Sequence, residues 1–453
     1  MASPFRSYDI RGLFPEEVNE ELAFLVGRAA ADRFGWRRVC VAHDMRPSSP
    51  GLAEALVAGL VREGVEVEFL GMTSTDQLYL AVLSHQRDGG FMITASHNPA
   101  RYNGIKIVRE HALPVGLESG LSELADWIRA RRTAGESRWT SRPAAVAPVR
   151  RVDFTDEYLS LLFDLVPPAT LPPFTVVADA GNGMGGPVLL GAAASLPLRI
   201  HALFTEPDGT FPNHDANPME AENRRDLERQ VVERGADLGV GFDGDADRAF
   251  FVDHAGRFRP ADHVLTLLFP WALARRPGAA VVYDVRCSRH VPEAIERLGG
   301  VPQMGKVGHA HAKPVMHRLG AAVGGELSGH YYVPLRGGVI DSGLLSFLLV
   351  LSELGRMEKS LDEALRFDRE RFASGEINLP VQDSHQVLSR LLKSHRDRGT
   401  LSQIDGLRVD TPQYWFSVRA SNTEPLLRLN VEADSEDLLR QVTARLREEI
   451  AAG

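Results

Sequence analysis

Residues 89–99 read Gly-Gly-Phe-Met-Ile-Thr-Ala-Ser-His-Asn-Pro, and they contain the pattern on which the fold prediction rests. A short apolar run at 91–93 has the composition of a buried strand, and a polar segment ending in an Asn-Pro turn follows it directly. A hydroxyl placed in this way is exposed and rigidly held, as a nucleophile or a phosphate carrier must be. We therefore interpret Ser96 as a functional residue and not as an ordinary turn serine.

The same order of an apolar strand and a polar loop recurs along the chain. Strand-like runs lie at 38–42, 65–70, 91–94, 174–179, 238–241 and 280–284, and helix-like stretches lie among them at 52–63 and 224–234. Alternation of this kind is typical of βαβ units. Because open α/β sheets bind ligands where their strands end in such loops, we expect three similar modules that face one cleft.

The chain of 453 residues is long enough for three or four domains, at roughly 100 to 200 residues per domain. A stretch at 129–149 is rich in Arg, Ala and Pro and reads as a linker. After residue 372 the pattern changes to strand, helix, strand. We predict an α/β protein with three similar mixed α/β domains and a smaller C-terminal α+β domain around a central cleft. The predicted domains are 1–146, 147–256, 257–369 and 370–453.

Composition and charge exclude several classes of protein. A formal net charge of -9 argues against a general affinity for nucleic acid, which needs clustered Lys and Arg. The longest apolar run, 344–351, is far shorter than the ~20 residues of a membrane-spanning helix, so we expect a buried helix there and no membrane association. Two distant cysteines, Cys40 and Cys287, predict buried free thiols. With no secretory signal at the N-terminus, we expect a cytoplasmic protein.

Residues 241–248 read Gly-Phe-Asp-Gly-Asp-Ala-Asp-Arg, so three carboxylates alternate in a loop that follows a strand. Alternation lets Asp243, Asp245 and Asp247 converge on one hard cation, which would balance their mutual repulsion. An EF-hand calcium loop would need Gly at position 248 and Glu at position 254, so magnesium fits better. The three carboxylates leave coordination positions for a phosphate oxygen, and Arg248 would add a second positive charge.

Two further segments carry side chains suited to a sugar phosphate. Residues 324–330 read Gly-Gly-Glu-Leu-Ser-Gly-His, in which Glu326 and Ser328 are suited to vicinal hydroxyls, although Gly-rich loops are common. Residues 419–425 read Arg-Ala-Ser-Asn-Thr-Glu-Pro, and together with Arg428 they form either an anion cradle or a plain hairpin turn.

Two other motif interpretations have less support. Residues 181–186, Gly-Asn-Gly-Met-Gly-Gly, match the dinucleotide pattern Gly-x-Gly-x-x-Gly, but no clear acidic partner follows, so we interpret them as structural turn glycines. Ser96 does not lie in a Gly-x-Ser-x-Gly elbow, and the adjacent His97 is poorly placed to act as its base. A hydrolase triad is therefore weakly supported, and a serine that carries phosphate is preferred.

Taken together and in this order, these segments resemble the α-D-phosphohexomutase superfamily, and within it the bacterial phosphomannomutase/phosphoglucomutase group. The resemblance spans essentially the whole chain. Thr-Ala-Ser-His-Asn-Pro and Asp-Gly-Asp-Ala-Asp-Arg are highly specific to it, and the opening 5–12, Phe-Arg-Ser-Tyr-Asp-Ile-Arg-Gly, also matches. It implies an isomerase that interconverts hexose 1-phosphate and hexose 6-phosphate through a phosphoserine and a bound hexose 1,6-bisphosphate, which would also be its activator.

By the same resemblance, each loop contributes residues to one site. The metal site would hold one magnesium ion between Asp243, Asp245, Asp247 and the phosphate on Ser96. The catalytic residues would be Ser96, Lys106, Arg11, Arg248 and His330. The substrate-binding residues would be Tyr8, Arg286, Lys306, His309, Glu326, Ser328, Arg419, Ser421, Asn422, Thr423 and Arg428. For proton exchange with the sugar oxygen, our first choice is Lys106, with a pKa that burial near Arg248 would depress toward neutrality.

Two departures from the family pattern bear on the sugar. Arg286 stands where the family usually has Lys, and 336–343, Arg-Gly-Gly-Val-Ile-Asp-Ser-Gly, differs from the usual acidic Asp-Asp-Gly form. Since Arg is bulkier and keeps its proton, the first change alters sugar contacts. Glu-Leu-Ser and Ser-Asn-Thr resemble the mannose/glucose group, whereas glucosamine mutases more often carry Gln-Ser and Ser-Gly-Thr. The sequence favours unsubstituted hexoses and leaves mannose and glucose open.

Three alternatives stay open beside this interpretation. The chain could be a glucosamine-phosphate mutase of the same superfamily, or a non-catalytic protein that binds a phosphosugar. A haloacid-dehalogenase-type phosphatase would use Asp243 as its nucleophile, but the residue at position 247 breaks that motif. In each case the expected partner is a phosphosugar, and the chain would be a monomer or a dimer.

Overall fold

Four sheets follow one another along the chain in the computed structural model, which describes residues 3–134, 147–421 and 426–451. Each of the first three sheets has parallel strands at its centre and antiparallel strands toward one edge, and the fourth sheet is antiparallel throughout. Helices cover the sheets. This confirms the prediction of three similar mixed α/β domains followed by a smaller domain of a different kind.

The first sheet ends in the loop that carries Ser96. Its domain contains β1 (Ile10–Leu13), α1 (Glu20–Phe34), β2 (Arg38–His43), α2 (Ser49–Arg62), β3 (Glu66–Met72), α3 (Thr75–Ser84), β4 (Gly89–Ile93), β5 (Tyr102–Arg109), α4 (Leu121–Thr133) and β6 (Val149–Arg151). The strand order is β1-β5-β4-β2-β3-β6. The helix α4 includes 129–133, which the sequence assigned to a linker, because its apolar side packs against the domain core.

The second sheet repeats this plan around the three aspartates. Its domain contains α5 (Thr155–Leu165), β7 (Thr175–Asp179), α6 (Gly185–Ala193), β8 (Arg199–Leu203), α7 (Arg225–Arg234), β9 (Leu238–Phe242), β10 (Ala249–Asp253) and β11 (Phe258–Arg259). The strand order is β11-β10-β9-β7-β8. By strand pairing, the first sheet extends to residue 151 and the second to residue 259, a few residues beyond the predicted domain ends at 146 and 256.

The third sheet carries the Gly-Glu-Leu-Ser loop. Its domain contains α8 (Ala261–Leu265), α9 (Leu268–Arg275), β12 (Ala280–Asp284), α10 (His290–Arg297), β13 (Val301–Gly305), α11 (His309–Leu319), β14 (Val323–Gly325), β15 (Tyr331–Leu335), β16 (Gly338–Asp341), α12 (Gly343–Met357) and α13 (Leu361–Ala364). The strand order is β13-β12-β14-β15-β16. The apolar run at 344–351 lies in α12 and is buried, as predicted. Within the described ranges, no helix is both long enough and apolar enough to cross a lipid bilayer.

The fourth domain has a core of its own. It contains β17 (Phe372–Ala373), β18 (Ile377–Pro380), α14 (Ser384–His395), β19 (Thr400–Ser402), β20 (Leu407–Asp410), β21 (Tyr414–Ala420), β22 (Leu426–Ala433) and α15 (Glu436–Ala451). Apolar side chains of α14 and α15 pack on one face of the antiparallel sheet, among them Leu391 and Leu446. Arg408 of β20 donates to the backbone carbonyl oxygens of Val285 and Cys287 at 2.6 and 3.1 Å, so this domain packs against the third.

Three functional loops leave equivalent strands. β4, β9 and β14 are each flanked by a parallel neighbour on one side and an antiparallel strand on the other. The loop that follows each of them therefore leaves the same edge of its sheet, where ligands bind in folds of this class. This equivalence brings Ser96, the aspartate loop and Glu326 to one cleft.

Candidate active site

A cavity of about 830 Å³ lies where the four domains meet, and each domain contributes residues to its wall. Of the predicted catalytic and substrate-binding residues, the wall includes Tyr8, Arg11, Ser96, Lys106, Arg248, Arg286, His309, Glu326, Ser328, His330 and Arg428. The three aspartates are buried behind Ser96 and Arg248. Residues that are far apart in the sequence therefore converge on one site.

Ser96 is held in a strained conformation by its surroundings. Its φ of 51° lies in the left-handed region, which a non-glycine residue adopts only when the surrounding structure imposes it. The hydroxyl donates a hydrogen bond to Oδ2 of Asp243 at 2.9 Å and accepts one from Nη2 of Arg248 at 3.1 Å. The Ser96 oxygen is thus fixed between a carboxylate and a permanent cation at the wall of the cavity.

Arg46 fixes the loop that carries Ser96, and the sequence analysis missed it. Its guanidinium donates to four backbone carbonyl oxygens of this loop and the residue after it, at 2.6–2.9 Å: those of Ser96, Asn98, Pro99 and Tyr102. Its remaining N–H donates to Asp44 at 3.2 Å. All five donors of a fully buried Arg46 are used. The signal was present, since Asp44 and Arg46 form a polar segment directly after β2.

Gly183 and Gly244 allow the aspartate loop, which carries Asp243, Asp245 and Asp247, to approach the loop that carries Ser96. A Cβ on Gly244 would lie 2.5 Å from the carbonyl oxygen of Ser96, and one on Gly183 would lie 2.7 Å from the carbonyl oxygen of Gly244. Contacts this short with backbone atoms leave no space for a side chain. Gly183 therefore serves packing against the aspartate loop, and a Cβ on Gly186 would meet the backbone of Thr205, which agrees with the interpretation of this segment as structural turn glycines.

Gly244→Ala should separate Ser96 from Asp243. A shift of the backbone at residue 244 or at Ser96 costs free energy. We therefore expect kcat to fall on the order of 100-fold and stability to fall by about 1–3 kcal/mol. Steady-state kinetics and thermal unfolding measure the two effects. Gly51→Ala is the matched control, since a Cβ on Gly51 in α2 would meet only the Glu20 side chain, at 3.4 Å; it should keep wild-type kcat and gain up to about 1 kcal/mol of stability. A kcat of Gly244→Ala close to that of the wild type would contradict the packing assignment.

Asp243, Asp245 and Asp247 form a cluster with the character of a cation site. Each offers a carboxylate oxygen, and these oxygens lie within 4.8 Å of one another. Oδ1 of Asp245 and Oδ1 of Asp247 are buried without a hydrogen-bond partner in the described structure. Burial raises the pKa of Asp243 to about 7, opposed by Arg248 and assisted by its two acidic neighbours. Unpaired oxygens and mutual repulsion are the properties that a bound cation would satisfy.

Lys106 corrects one prediction. Its Nζ lies 2.6 Å from Oδ2 of Asp245 and 2.6 Å from Oδ2 of Asp247. Burial by itself lowers the pKa of Lys106, but the attraction of the two carboxylates raises it well above its ordinary value. The expected depression of this pKa by burial near Arg248 is therefore wrong. Lys106 is a cation that binds the Oδ2 atoms of Asp245 and Asp247 and leaves the Oδ1 atoms of both residues unpaired.

The Gly-Glu-Leu-Ser loop presents an oriented carboxylate. Oε1 of Glu326 accepts hydrogen bonds from the Gly308 backbone N–H at 2.9 Å and the Tyr332 hydroxyl at 2.6 Å. Oε2 accepts from the Ser328 hydroxyl at 2.8 Å, and Nη2 of Arg286 lies 3.6 Å away from it. Both oxygens of Glu326 therefore accept hydrogen bonds from the protein, two at Oε1 and one at Oε2, and these contacts fix the carboxylate at the cavity wall.

Among the remaining predicted substrate-binding residues, Arg286 and Tyr8 line the cavity and Lys306 does not. Arg286 is buried and paired with Asp284 at 2.8 Å, and this pairing fixes its guanidinium beside Ser328. Tyr8 donates to the carbonyl oxygen of Val307 at 2.9 Å, and burial raises the pKa of its hydroxyl to about 12. Lys306 is exposed and is not among the described residues that line the cavity.

Two arginines lie side by side on the fourth sheet. Arg419 and Arg428 are directly opposite each other in the β21–β22 pair. Nη1 of Arg428 lies 3.1 Å from Oε1 of Glu376, and Nη2 of Arg419 lies 3.5 Å from Oε2 of the same carboxylate. Ser421 donates its backbone N–H to Leu426 at 2.9 Å. The predicted contacts Asn422 and Thr423 lie outside the described residues. Nη1 of Arg419 also lies 3.5 Å from Oδ2 of Asp405, so two carboxylates balance the two arginines at this end of the cleft.

Models of four successive domains of one family match the chain in order. They are described as phosphoglucomutase/phosphomannomutase alpha/beta/alpha domains I, II and III, at residues 2–132, 154–256 and 260–372, and the C-terminal domain, at residues 376–449. The chain belongs to the phosphoglucomutase/phosphomannomutase family. It is therefore an enzyme of the isomerase class, a phosphohexomutase, as the sequence resemblance predicted.

Individual relatives agree over the whole length. A protein of Xanthomonas campestris named "Phosphohexose mutases" is 40% identical over 437 residues, which cover 96% of each chain. The phosphomannomutase/phosphoglucomutase of Pseudomonas aeruginosa is 35% identical over 457 residues, covering 100% of this chain and 96% of that one. A crystal structure of a phosphoglucomutase/phosphomannomutase family protein from Burkholderia thailandensis superposes with a TM-score of 0.88 at 31% identity, covering 100% and 98% of the chains.

Membership in the phosphoglucomutase/phosphomannomutase family makes the departure at 336–343 interpretable. Asp341 is buried beside His330, with its Oδ2 3.0 Å from Nδ1 of the ring. Ser342, in the second acidic position of the usual pattern, accepts a hydrogen bond from the backbone N–H of Leu345 at 3.1 Å and caps α12. Ser and Asp are both good N-caps, so this substitution preserves the cap and leaves the carboxylate beside His330 in place.

Proposed function

We propose that this enzyme interconverts the 1-phosphate and 6-phosphate of mannose and glucose, with Ser96 carrying the phosphoryl group and hexose 1,6-bisphosphate as the intermediate and activator. The observation that carries the proposal is the placement of the Ser96 hydroxyl. It lies at the cavity wall, 2.9 Å from Asp243 and 3.1 Å from Arg248, in a loop fixed by Arg46. The cavity is large and is lined from four sides, as a bisphosphate that must turn around requires.

The proposed cycle has two transfers. In the first, the bond from phosphorus to Ser96 Oγ breaks while a bond forms to the free hydroxyl of the sugar phosphate, and that hydroxyl loses its proton. The resulting bisphosphate turns within the cavity. In the second, its other phosphoryl group returns to Ser96 and the sugar oxygen regains a proton. Because the transferred group spreads its charge over three oxygens, Arg248 and Lys106 would stabilise it from the protein side.

His330, Lys106 and Arg11, the predicted candidates for exchanging or holding the proton at the sugar oxygen, all lie at the cavity wall, where His97 and His309 lie as well. Lys106 is occupied by two carboxylates, and Arg11 donates to Asn98 at 2.7 Å. We assign proton handling to His330, whose ring lines the cavity and stacks on Tyr332. Lys106 then acts as a fixed cation.

The metal in this proposal is magnesium, held by Asp243, Asp245 and Asp247 together with an oxygen of the Ser96 phosphate. Three carboxylates, two of which have an unpaired buried oxygen, suit a hard cation that prefers oxygen ligands. When bound, it would neutralise charge on the transferring phosphoryl group.

The sugar and the phosphate that is not reacting are bound by the other two loops. Glu326 and Ser328 would accept and donate hydrogen bonds to sugar hydroxyls, with Arg286, Tyr8 and His309 beside them, and Lys306 as a further predicted contact. Arg419 and Arg428, with Ser421, Asn422 and Thr423, would hold the distal phosphate. An anchor at that end leaves the opposite end of the sugar facing Ser96.

The sugar preference is tested by turnover of mannose, glucose and glucosamine 1-phosphates with magnesium and a trace of glucose 1,6-bisphosphate. We expect both neutral sugars to react at least about tenfold faster than glucosamine 1-phosphate, because the loop that carries Glu326 and Ser328 has the Glu-Leu-Ser form that resembles the mannose/glucose group. Fastest turnover of glucosamine 1-phosphate would identify a glucosamine-phosphate mutase. Absence of turnover with all three sugars would favour a phosphosugar-binding protein.

Removal of metal should stop the reaction. After chelation and dialysis, we expect kcat to fall on the order of 100-fold or more and to return with added magnesium, because the three carboxylates then lack their balancing cation. Added magnesium should also raise the thermal unfolding temperature of the wild type, and this shift should be lost in Asp245→Asn. Full turnover in the chelated enzyme would contradict the metal assignment.

The two cysteines, Cys40 and Cys287, indicate the cellular compartment. Cys40 and Cys287 are free and buried, which is usual in reducing compartments, so we propose a cytoplasmic enzyme that acts on soluble phosphosugars as a monomer or dimer.

A further inference from the structure

The buried carboxylate of Asp341 lies against His330 and has no role in the proposed function. The His330 ring lines the cavity and stacks on Tyr332 with an interplanar angle of 10°. Nδ1 of His330 lies 3.0 Å from Oδ2 of Asp341, whose side chain has no exposed surface. Both atoms are buried and neither has a hydrogen-bond partner within the described residues, so at this separation each is available to the other and shielded from water.

The third sheet places these two side chains together. Asp341 is the last residue of β16 and lies opposite Tyr332 in the antiparallel pair of β15 and β16. His330 precedes Tyr332 by two residues, and residues two apart along a strand point to the same face. His330 and Asp341 are thus diagonal neighbours across the two strands, within reach of their side chains.

A buried lysine fixes Asp341 in turn. Nζ of Lys313 lies 2.5 Å from Oδ1 of Asp341 and 4.0 Å from the centroid of the Tyr79 ring. Neither side chain of the Lys313–Asp341 pair is exposed. Because a buried pair loses much stability when its partners separate, Asp341 has little freedom to leave His330.

The proximity of Asp247, His330 and Asp341 would also suit a metal ion, but the charges argue against one. Lys106 lies 2.6 Å from Asp247, and Lys313 lies 2.5 Å from Asp341, so both carboxylates already have a cation. Nδ1 of His330 is 3.8 Å from Asp247 and 3.0 Å from Asp341. The geometry commits this nitrogen to Asp341 and leaves Nε2 for the cavity.

We propose that Asp341 is a positioning residue for the reaction: it accepts the hydrogen bond of Nδ1–H of His330 and so presents Nε2 to the reacting oxygen of the sugar. Lys313 keeps Asp341 in place. A histidine whose Nδ1–H is held by a carboxylate has a fixed tautomer and ring orientation. Neither Asp341 nor Lys313 is among the described residues that line the cavity, so both act through His330. The inference rests on the proposed function, in which His330 handles the proton.

The test is Asp341→Asn in the full-length enzyme, which removes the charge and keeps the shape. We expect kcat to fall roughly 10- to 100-fold while KM changes by less than about threefold, because Asp341 acts on the reacting geometry and not on sugar binding. Heteronuclear NMR of the imidazole nitrogens gives a second readout, with His330→Gln to assign the signals. The proton of His330 should reside on Nδ1 in the wild type and should lose this preference in Asp341→Asn.

Two further variants control for folding. Asp341→Asn leaves Lys313 buried and unpaired, so the double variant D341N/K313M removes both charges and should show the same loss of kcat with better stability. Asp253→Asn is the matched control: Asp253 is equally buried and paired with Arg259 at 2.5 Å, away from the cavity, and its variant should lose stability without losing kcat.

The outcomes are distinguishable. An unchanged His330 tautomer in Asp341→Asn, wild-type kcat in folded D341N/K313M, or a rise in KM alone would each overturn the proposal. Wild-type kcat in His330→Gln would overturn the proton role in the proposed function instead. In that case the NMR signals still decide whether Asp341 fixes the ring.

Discussion

Ser96→Ala should eliminate turnover of hexose 1-phosphate, with kcat reduced by at least about 10⁴-fold. The hydroxyl is the atom at the cavity wall that Asp243 and Arg248 hold together, and alanine leaves no oxygen there to carry the phosphoryl group. The measurement is a coupled assay of hexose 6-phosphate formation with magnesium and glucose 1,6-bisphosphate. The variant should fold, since it removes one atom from a site whose other contacts persist.

The matched control for this variant is Ser394→Ala. The Ser394 hydroxyl donates to the Leu391 carbonyl oxygen within α14, in the fourth domain and away from the cavity. It should retain wild-type kcat. Turnover by Ser96→Ala above about 1% of the wild-type rate would show that another group carries phosphate, and Asp243→Ala would then test the carboxylate.

Arg46→Lys should also reduce turnover strongly. Lysine keeps the charge beside Asp44 but has three donors on one nitrogen, so it cannot reach the four carbonyl oxygens that the guanidinium holds. We expect kcat to fall on the order of 100-fold because the Ser96 loop loses its fixed geometry. Arg46→Met should in addition cost about 3–5 kcal/mol of stability, since it leaves Asp44 buried and unpaired.

Steady-state kinetics and denaturant unfolding separate these two effects. Arg229→Lys is the control, because Arg229 is paired with Asp226 and Glu233 on the exposed side of α7, and the exchange should change stability by less than about 0.5 kcal/mol. If Arg46→Lys kept wild-type kcat, other contacts would hold the Ser96 loop in place. One such contact is the hydrogen bond that the Thr94 hydroxyl oxygen accepts from the Ser96 backbone N–H at 2.9 Å.

The parts of the site that sequence alone could predict are those encoded locally. An apolar run followed by a polar loop identified β4, β9 and the segments after them, because strand burial and turn chemistry are properties of neighbouring residues. The aspartate alternation likewise predicted a converging cluster, which the structure describes. Arg46 carried the same local signal after β2 and could have been found.

The remaining features depend on residues that are distant in sequence. Lys106 meets Asp245 across 139 positions, and that contact reverses the pKa that burial alone suggested. Lys313 and Asp341 are 28 positions apart on a helix and a strand, with nothing in either segment to indicate their pairing. Glu376 lies beside Arg419 and Arg428 only because β18 pairs with β22. Partners of this kind are decided by the packing of domains and sheets.

The most direct test of phosphoryl transfer through Ser96 is mass spectrometry of peptides from the enzyme after incubation with magnesium and hexose 1,6-bisphosphate. We expect one phosphoryl group, located on Ser96, that disappears when hexose 6-phosphate is added, as hexose 1,6-bisphosphate forms. A phosphoryl group on Asp243, or none on any residue while turnover proceeds, would contradict it.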